Sequence, residues 1–194
     1  MDDFQLTNPV PVGGRESRDH YPTPRWATLA LLRHSGRWFP PGGAMFLDPA
    51  CGEGSILQTI MDEVPYASTR GIELDEGRVK DAEARRLEVV QGDGLDIEWG
   101  SPDWIIGNPP YSLALEFAFK AAEWAKEEPH RTAALLLRLS FLEPASGRAV
   151  LFQRHRPDVF ILPRRPLFDG RGTDNITSAW FCWPGTGYLD WLPP

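Results

Sequence analysis

The chain has 194 residues, 42% of them hydrophobic, enough for one well-buried core, and it reads as a single domain over 1–194. Its apolar runs, such as 133–137, fall far short of the roughly 20 residues of a membrane span. The opening Met1-Asp2-Asp3 lacks the apolar stretch of a secretory signal, and the two cysteines, Cys51 and Cys182, form no CxxC pair and no ligand set with a histidine. No membrane, disulfide or metal is therefore expected, and the expected location is cytoplasmic.

In chain order, short β-rich runs alternate with helical stretches, the pattern of an α/β fold. Residues 44–48 (AMFLD) predict a first strand, followed by a glycine turn and a helix over 55–63. A second strand is expected at 69–74, a charged helix at 75–87, a third strand at 88–91 and a fourth at 104–107. Leu, Phe and Ala spaced for a buried stripe predict a helix over 113–126. The nearly continuous apolar run 132–139 suits a strand covered on both faces. A helix at 145–155 and strands at 159–162 and 178–183 complete the set. Between those last strands, 163–177 holds two glycines and two prolines and is too short for a helical crossover, so strands six and seven should pair antiparallel through a long loop.

The segment Asp48-Pro49-Ala50-Cys51-Gly52-Glu53-Gly54 puts a Gly-x-Gly between a strand and a helix, where a nucleotide-type ligand can approach the backbone. Two details oppose a dinucleotide. The third glycine position is Leu57, and Glu53 would set a negative charge beside a pyrophosphate. S-adenosylmethionine carries no phosphate and two positive groups, and Asp48 can pair with its ammonium. Glu73 follows Gly54 by 19 residues, the spacing at which a carboxylate reaches ribose hydroxyls. Asp93, in Gln91-Gly92-Asp93-Gly94, is placed to accept from the adenine amino group. Pro49, Ala50, Cys51, Gly52, Gly54, Leu74 and Gly94 complete the expected cofactor contacts, with Asn108 at the border of both sites. A thiol at a helix start could have a lowered pKa, but Cys51 is assigned no catalytic role.

Ile105-Ile106-Gly107-Asn108-Pro109-Pro110-Tyr111 is the most specific motif. An exocyclic amine conjugated to a ring is a poor nucleophile, because its lone pair is delocalised. Two acceptors that draw on its two N–H hydrogens pull it toward tetrahedral geometry. The Asn108 side-chain oxygen and the Pro109 carbonyl can do so, and Pro109 and Pro110 fix the direction of that carbonyl. Tyr111 can stack on the target base. No imidazole base is required, so the four histidines, His20, His34, His130 and His155, are read as surface residues.

These motifs together resemble the amino-methylating DNA methyltransferases, above all the N6-adenine group with an Asn-Pro-Pro-Tyr motif, and the likeness runs over most of the chain. The resemblance implies a Rossmann-like seven-stranded sheet of order 3-2-1-4-5-7-6, S-adenosylmethionine as cofactor, and methylation of adenine N6 in double-stranded DNA with the target base flipped out. It also implies that Thr23 and Pro24, in Tyr21-Pro22-Thr23-Pro24, touch the methionine portion within an N-terminal lid over 1–40. The cofactor-binding and catalytic half then spans 41–130 and the substrate half 131–194. No insert large enough for a separate target-recognition domain is found, which resembles the compact phage and prophage enzymes. Methylation of an RNA amine, of cytosine N4 or of a protein glutamine at N5 uses the same chemistry, and a non-enzymatic binding subunit is the remaining alternative; monomer and dimer are both open.

The net charge of −7 is unevenly spread: 1–130 carries −10, whereas 131–171 carries +5. Clustered arginines can bind phosphates on an acidic protein because screening confines distant charges to about 8 Å. Arg148, Arg164, Arg165 and Arg171 are the expected DNA contacts, with Phe168 against the extruded base.

Overall fold

The computed structural model describes residues 22–34, 42–166 and 176–193. Its strands are β1 (Met45–Asp48), β2 (Ser68–Glu73), β3 (Glu88–Gln91), β4 (Trp104–Gly107), β5 (Thr132–Arg138), β6 (Asp158–Ile161), β7 (Ser178–Trp183) and β8 (Leu189–Trp191). The helices are α1 (Arg25–Arg33), α2 (Ser55–Glu63), α3 (Glu76–Ala84), α4 (Ala114–Glu127) and α5 (Ser146–Arg154).

One sheet of order β3-β2-β1-β4-β5-β7-β6-β8 carries all eight strands. β7 runs antiparallel to both β5 and β6, as the short 163–177 connection requires. The expected order over the first seven strands is found, but the sheet has eight strands rather than seven. The eighth arises where Asp158, at the start of β6, gathers the chain leaving β7: its Oδ1 accepts from Thr186 N at 2.6 Å, Thr186 Oγ1 at 3.0 Å and Tyr188 N at 3.1 Å. The chain thus crosses the end of β6 and runs parallel to it. Three residues flanked by turn formers carry too little periodicity to announce a strand.

Both faces of the sheet are covered, and the alternation along β5 shows how. Ala134 and Leu136 join Phe46, Trp104, Ile106 and Trp180 under α1 and α2, whereas Ala133, Leu135 and Leu137 join Leu47, Ile105 and Phe181 under α4. α4 buries Ala114, Phe117, Ala118, Ala121, Ala122 and Ala125, a helical stripe whose small side chains let it lie close to the strands. α1 had no counterpart among the expected helices. It is fastened by tertiary contacts, with Trp180 Nε1 donating to Ala27 O at 2.9 Å, so its position is decided by the sheet rather than by its own sequence. Trp180 and Trp183 are core residues. His155 is not a surface residue: it is buried, with Nε2 2.7 Å from Glu123 Oε1, because α5 ends against α4.

Candidate active site

Order 3-2-1-4 means that the chain leaves β1 toward one side of the sheet and returns to fill the other side from β4 onward. The crevice between the carboxyl ends of β1 and β4 is therefore the topological switch point, where open α/β sheets hold ligands. Asp48 ends β1 and Asn108 follows β4 directly, with Leu47 paired to Ile105 across the gap. The structure brings the two sequence motifs to one crevice.

The cofactor turn is shaped by backbone contacts. Gly52 and Gly54 both have positive φ, 57° and 83°, which glycine alone adopts without strain. Cys51 N donates to Ile72 O at 3.0 Å, tying the turn to β2. Asp48 is buried, and its Oδ1 accepts from Ala50 N at 3.0 Å. Burial pushes the Asp48 carboxyl up to about 8, and the neighbouring Glu73 adds to the shift against the Ala50 N–H. Glu73 is also buried: Oε2 accepts from Gly52 N at 2.9 Å and Oε1 from Asp75 N at 2.9 Å, with Arg78 Nη1 at 3.5 Å. It therefore braces the glycine turn as well as standing where a ribose contact is expected. Cys51 departs from the sequence expectation in sign. Burial, with Asp48 and Glu73, pushes its thiol above the ordinary cysteine range, outweighing any help from the helix start. Two buried carboxylates at one glycine turn suit a cationic nucleoside ligand and oppose a pyrophosphate.

At the catalytic loop, Asn108 Nδ2 donates to Thr23 Oγ1 at 3.1 Å. Thr23 is buried, and Pro24 heads α1, with Ala27 N donating to Pro24 O at 2.9 Å. The N-terminal element thus meets Asn108, the asparagine expected to act in catalysis, across 85 positions of sequence. The bond to Thr23 uses the amide nitrogen, so the acceptor role expected of Asn108 falls to its side-chain oxygen. Pro109 is buried, Pro110 partly so, and Tyr111 opens a single 3-10 turn before α4.

A family model described as "Methionine biosynthesis protein MetW" matches residues 32–101. The Modification methylase CviBIII of Paramecium bursaria Chlorella virus NC1A is 36% identical over 93 residues, 46% of this chain and 25% of that protein. The Release factor glutamine methyltransferase of Streptomyces coelicolor is 31% identical over 91 residues, 43% of this chain and 32% of that protein. Among solved structures, one described as a modification subunit of a type I restriction enzyme from Vibrio vulnificus YJ016 superposes with a TM-score of 0.63 at 16% identity, covering 91% of this chain and 46% of that one. The fold is that of the S-adenosylmethionine-dependent methyltransferases. The chain spans a quarter to a third of the curated relatives it matches.

S-adenosylmethionine, the cofactor of this fold, suits the acidic side chains at the turn, and the loop after β3, where an adenine contact is expected, is held firmly in place. Asp93 Oδ1 accepts from Leu95 N at 2.8 Å, folding the loop back on itself. Gly94 packs so tightly that a Cβ would stand 1.8 Å from Pro49 O, locking this loop to the cofactor turn. Leu74, by contrast, is exposed at the end of β2. Sequence reasoning missed the residue that fastens the loop from the other side. Lys120 Nζ on α4 donates to Gly94 O at 3.1 Å, Leu95 O at 2.8 Å and Ile97 O at 2.7 Å. It also lies 4.8 Å from the Trp99 ring centroid, and Trp99 Nε1 donates to Gly94 O at 2.8 Å. Burial holds the Lys120 pKa below the usual lysine value, against the pull of Glu98, Asp96 and Asp93. Its only signal in sequence was a lysine facing the apolar stripe of α4.

The expected DNA contacts are scattered. Arg148 Nη1 donates to Ser140 O at 2.6 Å. Arg164 is exposed and lies 4.4 Å from the Trp26 ring centroid, and Arg165 is exposed beside it. Phe168 and Arg171 lie outside the described residues.

Proposed function

We propose that the protein transfers the methyl group of S-adenosylmethionine to the N6 amino group of adenine in double-stranded DNA. The observation that carries this reading is the placement of Asn108-Pro109-Pro110-Tyr111 across the switch point from the Asp48 turn, with Asn108 held by Thr23. The bound cofactor supplies an electrophilic methyl on a sulfonium. Asp48 and Glu73 offer negative charge to its cationic and hydroxyl-bearing parts, and Asp93 accepts from its adenine. Asn108 Oδ1 and Pro109 O would accept the two amine hydrogens, turning the nitrogen lone pair toward the methyl; as the N–C bond formed the S–C bond would break, S-adenosylhomocysteine would leave, and the methylated amine would release one proton to solvent. Tyr111 holds the ring plane of the acceptor. The reaction needs the base outside the helix, at a cost of a few kcal/mol that phosphate contacts must offset, and the +5 segment 131–171 is the part of the chain suited to making them.

A second reading, methylation of a glutamine side chain in a protein, is favoured by the Streptomyces relative, because a carboxamide nitrogen is delocalised in the same way and would be activated by the same pair of acceptors. The arginine excess of 131–171 favours a polyanion.

The test is methyl transfer from isotopically labelled cofactor to duplex DNA by wild-type protein and by Asn108→Ala. The expected result is labelled DNA with the wild type, and a loss on the order of a hundredfold or more in the variant, with cofactor affinity retained. Equal rates would remove the proposed activation, and no transfer to DNA by a wild type that binds cofactor would remove the DNA assignment.

A further inference from the structure

Arg138 ends β5, on the same carboxyl edge of the sheet as Asn108. Its guanidinium carbon lies 4.2 Å from the centroid of the Tyr111 ring, so a fixed positive charge rests against the aromatic ring that the proposed reaction uses. Arg148, by contrast, bonds Ser140 O, and Arg131, before the other end of β5, pairs with Glu127 although its own Nε is likewise unpartnered. Arg138 is partly buried, makes no ion pair or side-chain hydrogen bond with any described residue, and has its Nε shut away from solvent without an acceptor. A buried donor left unmade is destabilising, and the charge behind it cannot be discharged because a guanidinium keeps its proton in proteins. Such a group calls for an acceptor from outside the described residues.

The surroundings say where that acceptor enters. Arg138 lines a cavity of about 590 Å³ at the ends of β5, β6 and β7, together with Leu139, Ser140, Glu143, Ile161 and Thr177. The volume is within the roughly 300–1,000 Å³ of ligand-binding clefts.

We propose that Arg138 grips a phosphodiester of the acceptor strand beside the flipped nucleotide, and so ties recognition of a polyanion to the catalytic tyrosine. This inference rests on the DNA reading above. With one face against Tyr111, the guanidinium offers its edge, where two parallel N–H groups match two phosphate oxygens. A base edge could also meet that fork, but would leave the charge uncompensated; a phosphate compensates it. The contact also bears on Tyr111. A guanidinium drawn to the phosphate and stacked on the ring fixes the ring plane in the loaded state, so substrate binding and acceptor alignment become one event.

The experiment compares wild type with Arg138→Lys and Arg138→Gln on a duplex that the wild type methylates, measuring binding across a salt series, steady-state methylation and cofactor affinity. Arg138→Gln should weaken duplex binding, flatten the slope of log affinity against log salt by about 0.9 for the one lost phosphate contact, and leave cofactor affinity in place. Arg138→Lys should restore the slope while recovering only part of the turnover, since an ammonium keeps the charge but not the fork. Weaker binding with an unchanged slope would assign Arg138 to a base edge and overturn the phosphate contact. Unchanged binding and turnover in Arg138→Gln would overturn any acceptor role. A wild type that loads cofactor and methylates no duplex overturns instead the functional reading on which this inference stands.

Discussion

Asp48 is the residue whose chemistry is least negotiable. A carboxyl raised from 3.8 to about 8 is mostly protonated at neutral pH in the free protein. Between those values the folded state holds a proton that the unfolded state has released, so this group makes the fold less stable as pH rises from about 4 to about 8, and contributes no further change above that. A cation bound beside it prefers the carboxylate. Cofactor binding should therefore expel a proton, and affinity should rise with pH toward about 8, by at most about tenfold per unit. Calorimetry in buffers of different ionisation heat reads the proton directly; Asp48→Asn should abolish both the release and the pH dependence. An equal proton count in the variant would exclude Asp48 as the site. Tyr111 makes a separate residue-scale prediction. Tyr111→Phe should keep a substantial part of turnover and Tyr111→Ala very little, because a stacking partner needs the ring; equal rates in the two variants would contradict stacking.

Among the elements, the loop after β3 shows how packing precision supports chemistry. Gly94 leaves no room for a methyl group against Pro49 O, so Gly94→Ala must push the loop off the cofactor turn. The expected loss is about 1–3 kcal/mol of stability, together with weakened cofactor binding; a melting temperature equal to that of the wild type would contradict the close contact. Lys120→Met should preserve the fold but free the Leu95 and Ile97 carbonyls and leave Gly94 O to Trp99 alone, which hydrogen exchange would register as faster opening of the 94–97 amides. Cofactor affinity should fall severalfold, and Lys120→Arg should recover part of it. Exchange unchanged in Lys120→Met would mean that the lysine holds nothing. These contacts also explain what sequence could and could not convey. The strand before Gly52, the stripe of α4 and the apolar run of β5 are local patterns and are found where they were expected. α1, β8, the Lys120 clamp and the Thr23–Asn108 bond depend on partners 23 to 153 positions away, with no periodicity to record them. Asp48 and Asn108 were legible because each sits in a short motif next to a strand. Arg138 was not, because a strand-end arginine in sequence looks like any solvated charge.

Across the whole molecule, the acidic stretch 1–130 and the arginine-bearing stretch 131–171 adjoin where β4 pairs with β5, next to the switch point between β1 and β4. Among the described residues, no helix is long and apolar enough to cross a membrane and no cluster of ligands could hold a metal. The proposed chemistry rests on the glycine turn after β1, the Asn-Pro-Pro-Tyr loop and a polyanionic acceptor. Its most direct test is to incubate the protein with labelled S-adenosylmethionine in the presence of duplex DNA, RNA and a glutamine-bearing protein acceptor, digest each to its monomers, and identify the labelled species. The account predicts the label in N6-methyladenosine from the duplex, as the deoxynucleoside; label in N4-methyldeoxycytidine, in an RNA nucleoside or in N5-methylglutamine would contradict it.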